Sequence, residues 1–259
     1  MHGLIRMAIS LPFFVFAPAA SAAEKVVDLR VRGSIQRVLV DVPANPVGSV
    51  VLLAGGPGVL NIDQAGKVNR LFGNQLVRTR ALYVRAGFAT AVPDIASDLK
   101  DTQNYRGNGA THGRDLAAVI AYMRQIKGPV ALVATSRGAL SAATVMLRQS
   151  DALPDALVIT SGVLRGPNSS AEAMGNPANI KVPVLLIAHQ DDTCRVTLPA
   201  DMAGYAARLT GSRKVETITM SGGTRSQDDP CEAYGPHGFA GLDQKVVDTI
   251  AAWLKTNMR

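Results

Sequence analysis

The run Val130-Ala131-Leu132-Val133 is apolar at every position and then breaks into Ala134-Thr135-Ser136-Arg137-Gly138. A small-residue stretch, Ala139 to Ala143, follows. A continuous apolar run reads as a strand buried on both faces, and small residues let the next helix pack closely. The segment therefore predicts a strand, a sharp turn and a helix, with the Ser136 hydroxyl held out at the turn. That succession belongs to a parallel sheet covered by helices.

The rest of the chain repeats the theme. Val26 to Val31 and Ile35 to Val42, separated by Gly33-Ser34, read as an opening antiparallel pair. Val50 to Ala54 is a buried strand ending in Gly55-Gly56-Pro57-Gly58. The stripe Val68, Leu71, Phe72, Leu76 and Tyr83 predicts a helix near Gly66 to Ala86, with Arg70, Arg78, Arg80 and Arg85 on its solvated face. Further strands are expected at Phe88–Val92, Ala156–Thr160, Val184–Ala188 and Val215–Met220. Helices are expected at Thr111–Lys127, from Ser136 to about Gln149, at Leu198–Leu209 and at Gly238–Met258, where Trp253 packs on the sheet. Leu164 to Ile180 is too short and polar for a large lid.

Composition narrows the class. Arg6, the mostly apolar stretch Met7 to Ala17 and the small residues Ala20-Ser21-Ala22-Ala23 read as a secretory signal. Residues 1–23 are therefore set aside, and 24–259 are expected to form one α/β domain, periplasmic or secreted. The apolar stretch is short of the ~20 residues of a bilayer span, so no permanent membrane anchor is expected. The net charge of +7 is spread along the chain, without the basic clusters and aromatic ladders of a nucleic-acid binder. There is no phosphate-cradling loop and no dinucleotide fingerprint, so no cofactor is implied. The two cysteines, Cys194 and Cys231, are expected to pair in an exported chain. They make a poor zinc site, and no metal is expected.

A serine nucleophile needs a base, and the base needs an orienting acid. Of the four histidines, His2 leaves with the signal, His112 precedes Ser136 near a helix start, and His189 ends a strand. His237 lies between the last strand and the last helix, flanked by Gly235-Pro236 and Gly238-Phe239, and is the candidate base. The acid is Asp191 or Asp192, just past the strand Val184–Ala188. Charge developing on a substrate oxygen needs two backbone donors. The Arg137 amide, next to the nucleophile, is one, and Gly56 the other, with Gly58 as second choice; Pro57 has no N–H to give. His112 and Tyr105-Arg106-Gly107-Asn108-Gly109 are candidate cleft residues. The Arg137 side chain is expected to pair with a nearby acid, the other reading being contact with an acidic substrate.

From about Val26 onward the sequence resembles the α/β-hydrolase superfamily, in particular small, lid-poor dienelactone-hydrolase-like and esterase-like bacterial members. Ala134-Thr135-Ser136-Arg137-Gly138 resembles G-x-S-x-G with alanine first. Gly55-Gly56-Pro57-Gly58 resembles H-G-G-P-G, with Ala54 in the histidine position. The family pattern Pro-x-Leu-x-x-x-Gly-x-x-Asp puts the glycine at His189 and the acid at Asp192. The resemblance implies Ser136 as nucleophile, His237 as base and then acid, Asp192 as orienter, and a small carboxylic ester as substrate. The competing readings are a peptidase or amidase on the same residues, which needs a peptide cleft or gating domain, and a non-catalytic binding protein on the same fold.

Overall fold

The computed structural model describes residues 23–99, 110–148, 152–166, 170–224 and 229–258. The expected leader up to residue 22 and the 105–109 loop lie outside the described residues.

Eight strands form one mixed sheet: β1 (Lys25–Val31), β2 (Ser34–Asp41), β3 (Gly48–Leu53), β4 (Phe88–Ala96), β5 (Val130–Thr135), β6 (Ala156–Thr160), β7 (Val184–His189) and β8 (Val215–Met220). Their spatial order is β1-β2-β4-β3-β5-β6-β7-β8. β2 runs antiparallel to β1 and β4, and every pairing from β4 through β3 to β8 is parallel. The helices are α1 (Gln75–Arg85), α2 (Ala110–Lys127), α3 (Gly138–Arg148), α4 (Asp201–Arg208) and α5 (Asp243–Asn257).

Strand periodicity divides the core. Val51, Leu53, Leu132 and Ala134 face one side, with Leu116, Ile120 and Met123 of α2, Leu140 of α3 and Tyr205 of α4. Val50, Leu52, Ala131 and Val133 face the other, with Leu76 and Tyr83 of α1 and Ile250 and Leu254 of α5. Every residue of β3, β5, β6 and β7 is buried, which is why these strands carry no polar–apolar alternation. Trp253 packs on the second face and donates from Nε1 to Glu216 (3.1 Å).

Several expected helices are shorter than the apolar pattern predicts, among them Leu198–Leu209, which is helical only over Asp201–Arg208. The helix expected near Gly66 to Ala86 starts only at Gln75, where the Asn74 side chain caps it by accepting from the Leu76 amide (3.2 Å). Before it the backbone is a loop, with Leu71 left-handed at φ 56° and Val68 bridged to Ile62. The final helix starts at Asp243, after a tight turn at Pro236–Gly238 and a left-handed Phe239. The expected solvated arginine face also fails at Arg78, whose side chain is only 14% exposed. No described helix is long and apolar enough to cross a membrane.

Candidate active site

The end of β5 sets the geometry. Ser136 follows the last residue of the strand and adopts φ 51°, a left-handed conformation that costs a non-glycine residue about 1–3 kcal/mol. Its amide donates to Thr160 O (3.0 Å) and its carbonyl accepts from Val163 N (3.2 Å), which hold the turn from both sides. Close packing explains two glycines. A Cβ on Gly138 would lie 2.2 Å from Leu53 O, so α3 can start here only without one. A Cβ on Gly55 would lie 2.8 Å from the Ser136 Cβ, so the loop after β3 approaches the serine only as glycine. Ala134 sits fully buried in β5, where its methyl group is part of the core.

The acid and the base meet. Asp192 Oδ2 lies 3.0 Å from His237 Nδ1, with the carboxylate fully buried and the imidazole nearly so. Asp192 Oδ1 accepts from the Cys194 amide (2.9 Å), and Oδ2 also accepts from Thr197 Oγ1 (3.2 Å). A carboxylate is acceptor-only, so the imidazole proton sits on Nδ1, and Nε2 carries the lone pair. Of the two neighbouring aspartates it is therefore Asp192 that orients toward His237. The Asp191 amide instead donates to His189 Nδ1 (3.1 Å), and His189 Nε2 contacts Gly222 O (2.9 Å).

Ser136 and His237 line one cavity of about 550 Å³, together with Gly56 and Arg137. No hydrogen bond joins Ser136 Oγ to His237 among the described residues. Gly58, the second choice as oxyanion donor, gives its amide to Gly55 O (3.1 Å) in a turn. The Arg137 side chain makes no ion pair among the described residues, against expectation. His112 lies away from this cavity, beside a small pocket with Gln36 and Asp94.

Cys194 and Cys231 form the expected disulfide across a separation of 37 residues, and both border the cavity. The bridge ties the Asp192 loop to the loop that leads into His237. Asp192, Cys194 and His237 come close enough to group around an ion, but the sulfur is spent in the bridge and the other two hold each other. That donor set does not fit a metal.

Two contributors were missed in the sequence. Thr197 touches both Asp192 and His237 (3.2 and 3.1 Å), and nothing but its nearness to Asp192 signals it. Arg78 lies far from both in the chain. Its guanidinium donates to Gly73 O (2.6 Å), Ala233 O (3.0 Å) and Gly238 O (2.6 Å), and pairs with Asp243 (2.8 and 3.0 Å). It thereby fixes the turn that carries His237. Arg78→Gln is expected to lower kcat roughly tenfold with KM little changed, because a loosened base is misplaced and not removed. Steady-state kinetics on any turned-over ester checks this, and a change confined to KM would count against it.

Strand order, the serine turn after β5, the acid after β7 and the histidine after β8 define one architecture, and the comparison with solved structures agrees. A dienelactone hydrolase from Anabaena variabilis superposes with a TM-score of 0.63 at 16% identity, over 92% of this chain and 99% of that one. The chain has the α/β-hydrolase fold. Two further α/β-hydrolase relatives in shape are a cold-adapted esterase from an Arctic intertidal metagenomic library (TM-score 0.62, 16% identity, 91% and 94% covered) and an alpha-beta serine hydrolase homologue from Coxiella burnetii (0.58, 16%, 91% and 97%). No protein-family model matches the sequence, and no curated protein matches it. The α/β-hydrolase likeness is thus one of shape at low identity.

Proposed function

We propose that this protein is an exported serine hydrolase that cleaves a small carboxylic ester through an acyl-serine intermediate. The observation that carries the reading is the buried Asp192–His237 hydrogen bond, set beside a left-handed Ser136 in the same cleft. Ser136 Oγ attacks the ester carbonyl carbon while its proton passes to His237 Nε2. The Nδ1 proton stays between His237 and Asp192, which stabilises the imidazolium. The tetrahedral oxyanion is received by the amides of Arg137 and Gly56; one such donor is worth about 3 kcal/mol in the transition state. Collapse breaks the ester C–O bond, and the alcohol leaves with the proton from Nε2. Water then attacks the acyl carbon, gives a proton to Nε2, and the acid departs as Ser136 Oγ is reprotonated. The esterase and dienelactone hydrolase among the structural neighbours favour an ester over an amide, as does the lack of a gating domain among the described residues.

Export to the periplasm or the medium belongs to the same proposal. Its support is the leader-like start of the sequence and a disulfide of the kind that persists in oxidising compartments.

Labelling with a fluorophosphonate tests the chemistry. One adduct is expected, on Ser136, together with turnover of p-nitrophenyl esters that declines as the acyl chain outgrows the cleft. An unlabelled Ser136 in the folded protein would point to the non-catalytic alternative.

A further inference from the structure

We propose that the mouth of the cleft is an aryl subsite, in which Phe72 and Tyr234 receive the planar aromatic group of an uncharged ester; this substrate class rests on the ester-hydrolase reading above. Exposed apolar groups clustered at one place mark binding surfaces far more often than scattered ones do. Phe72 is 67% exposed and Tyr234 56%, and both border the cavity that holds Ser136 and His237. Half-exposed Val196 stands on the same rim.

The chain is shaped to present these rings. Leu71 is held left-handed, and its side chain runs to Gly56, where even an added Cβ would meet it at 3.4 Å. Leu71 thus turns inward while its neighbour Phe72 is left in solvent. The next residue, Gly73, has no side chain because Tyr234 occupies that space. A Cβ there would lie 2.7–2.9 Å from Cε2, Cζ and Oη of the ring. The Arg78 guanidinium also covers Tyr234, 5.3 Å from the ring centroid, and is itself fixed by Asp243 and the carbonyls of Gly73 and Ala233. Three residues before Tyr234, Cys231 is bolted to the Asp192 loop. The Tyr234 ring is therefore positioned before any ligand arrives, so little ordering entropy is lost there on binding.

The chemistry of such a rim selects aryl over alkyl. An aromatic ring gains offset or edge-on contact with another ring beyond the area it buries, and a saturated ring of equal size does not. Charge selects further. The charged side chains that line the cavity are Arg137 and Glu232, of opposite sign, so the wall has no net formal charge to favour an ionic ester.

The test compares matched pairs whose reacting centres are alike: benzyl acetate with cyclohexylmethyl acetate, and methyl phenylacetate with methyl cyclohexylacetate. One pair places the ring on the alcohol side, the other on the acyl side. The wild-type protein is expected to favour the aromatic member of at least one pair by about fivefold in kcat/KM. The ratio should fall toward one in Phe72→Leu/Tyr234→Leu and persist in Tyr234→Phe, with thermal melts verifying that each variant is folded. Turnover with no aromatic preference, or a preference that survives the double variant, overturns the subsite and leaves the ester-hydrolase reading standing. Should no ester turn over, that reading fails, and saturation-transfer NMR of benzyl acetate on Ser136→Ala decides the subsite alone. Transfer to the ring protons that vanishes on adding the double substitution upholds it, and absence of transfer refutes it.

Discussion

Ser136→Ala is expected to lower kcat for p-nitrophenyl acetate by about 10⁶-fold, and His237→Ala by a similar factor. The double variant should be no slower than either alone. In the proposed mechanism Ser136, His237 and Asp192 act as one unit, so removing a second member takes away nothing that still functions. The activity that remains reflects binding and the oxyanion amides, which neither substitution touches. Asp192→Asn should cost about 10⁴-fold, because an amide can present its NH₂ to Nδ1 and leave the proton on the wrong nitrogen. Asp191→Asn should keep most of the activity, since Asp192 and not Asp191 touches His237. Single-turnover kinetics on the five purified variants provides the measurement. A Ser136→Ala protein that retains even a tenth of wild-type turnover would remove the acyl-serine mechanism, and a large loss in Asp191→Asn would move the acid by one residue.

Replacing Cys194 and Cys231 together with serine is expected to cost roughly 4 kcal/mol, the loop-closure entropy of a crosslink spanning a separation of 37 residues. In a chain of this size that corresponds to a fall in Tm of about 8–16 °C. A second effect should appear at temperatures where the variant stays folded. Cys194 donates its amide to Asp192, and Cys231 opens the segment that runs to His237. Untying them lets the carboxylate and the imidazole drift independently, so kcat should fall about tenfold at nearly constant KM. Equal turnover by the folded variant would reduce the bridge to a stabiliser. A Tm that barely moves would mean that residual structure already restrains the unfolded chain without the crosslink.

The parts of this fold that were legible in the sequence are those where burial leaves no choice. β5, β6 and β7 start where the apolar runs that predict them start, because strands covered on both faces are built mainly of apolar residues; the buried polar residues Thr135, Thr160 and His189 come only at their C-terminal ends. The serine turn was legible because its neighbours must be small, and Gly138 against Leu53 O shows why. Helix starts were not. The apolar residues Val68, Leu71 and Phe72 fit a helical stripe, yet Val68 sits in a bridge, Leu71 is left-handed and Phe72 faces solvent. A side chain that serves a ligand and one that serves the core look alike in a periodic pattern. Arg78 was hidden for the opposite reason. A lone arginine on a helix reads as surface charge, and its three carbonyl partners come from segments about 160 residues apart in the chain, which only the folded backbone brings together.

The sheet is wound so that the side chains of the candidate site arrive in order along the polypeptide, from β5, then β7, then beyond β8. A chain synthesised only a little past Asp192 would own a hydroxyl and a carboxylate but no imidazole to join them. On the proposed mechanism, reactivity is thus deferred until the C-terminal third has been translated and docked.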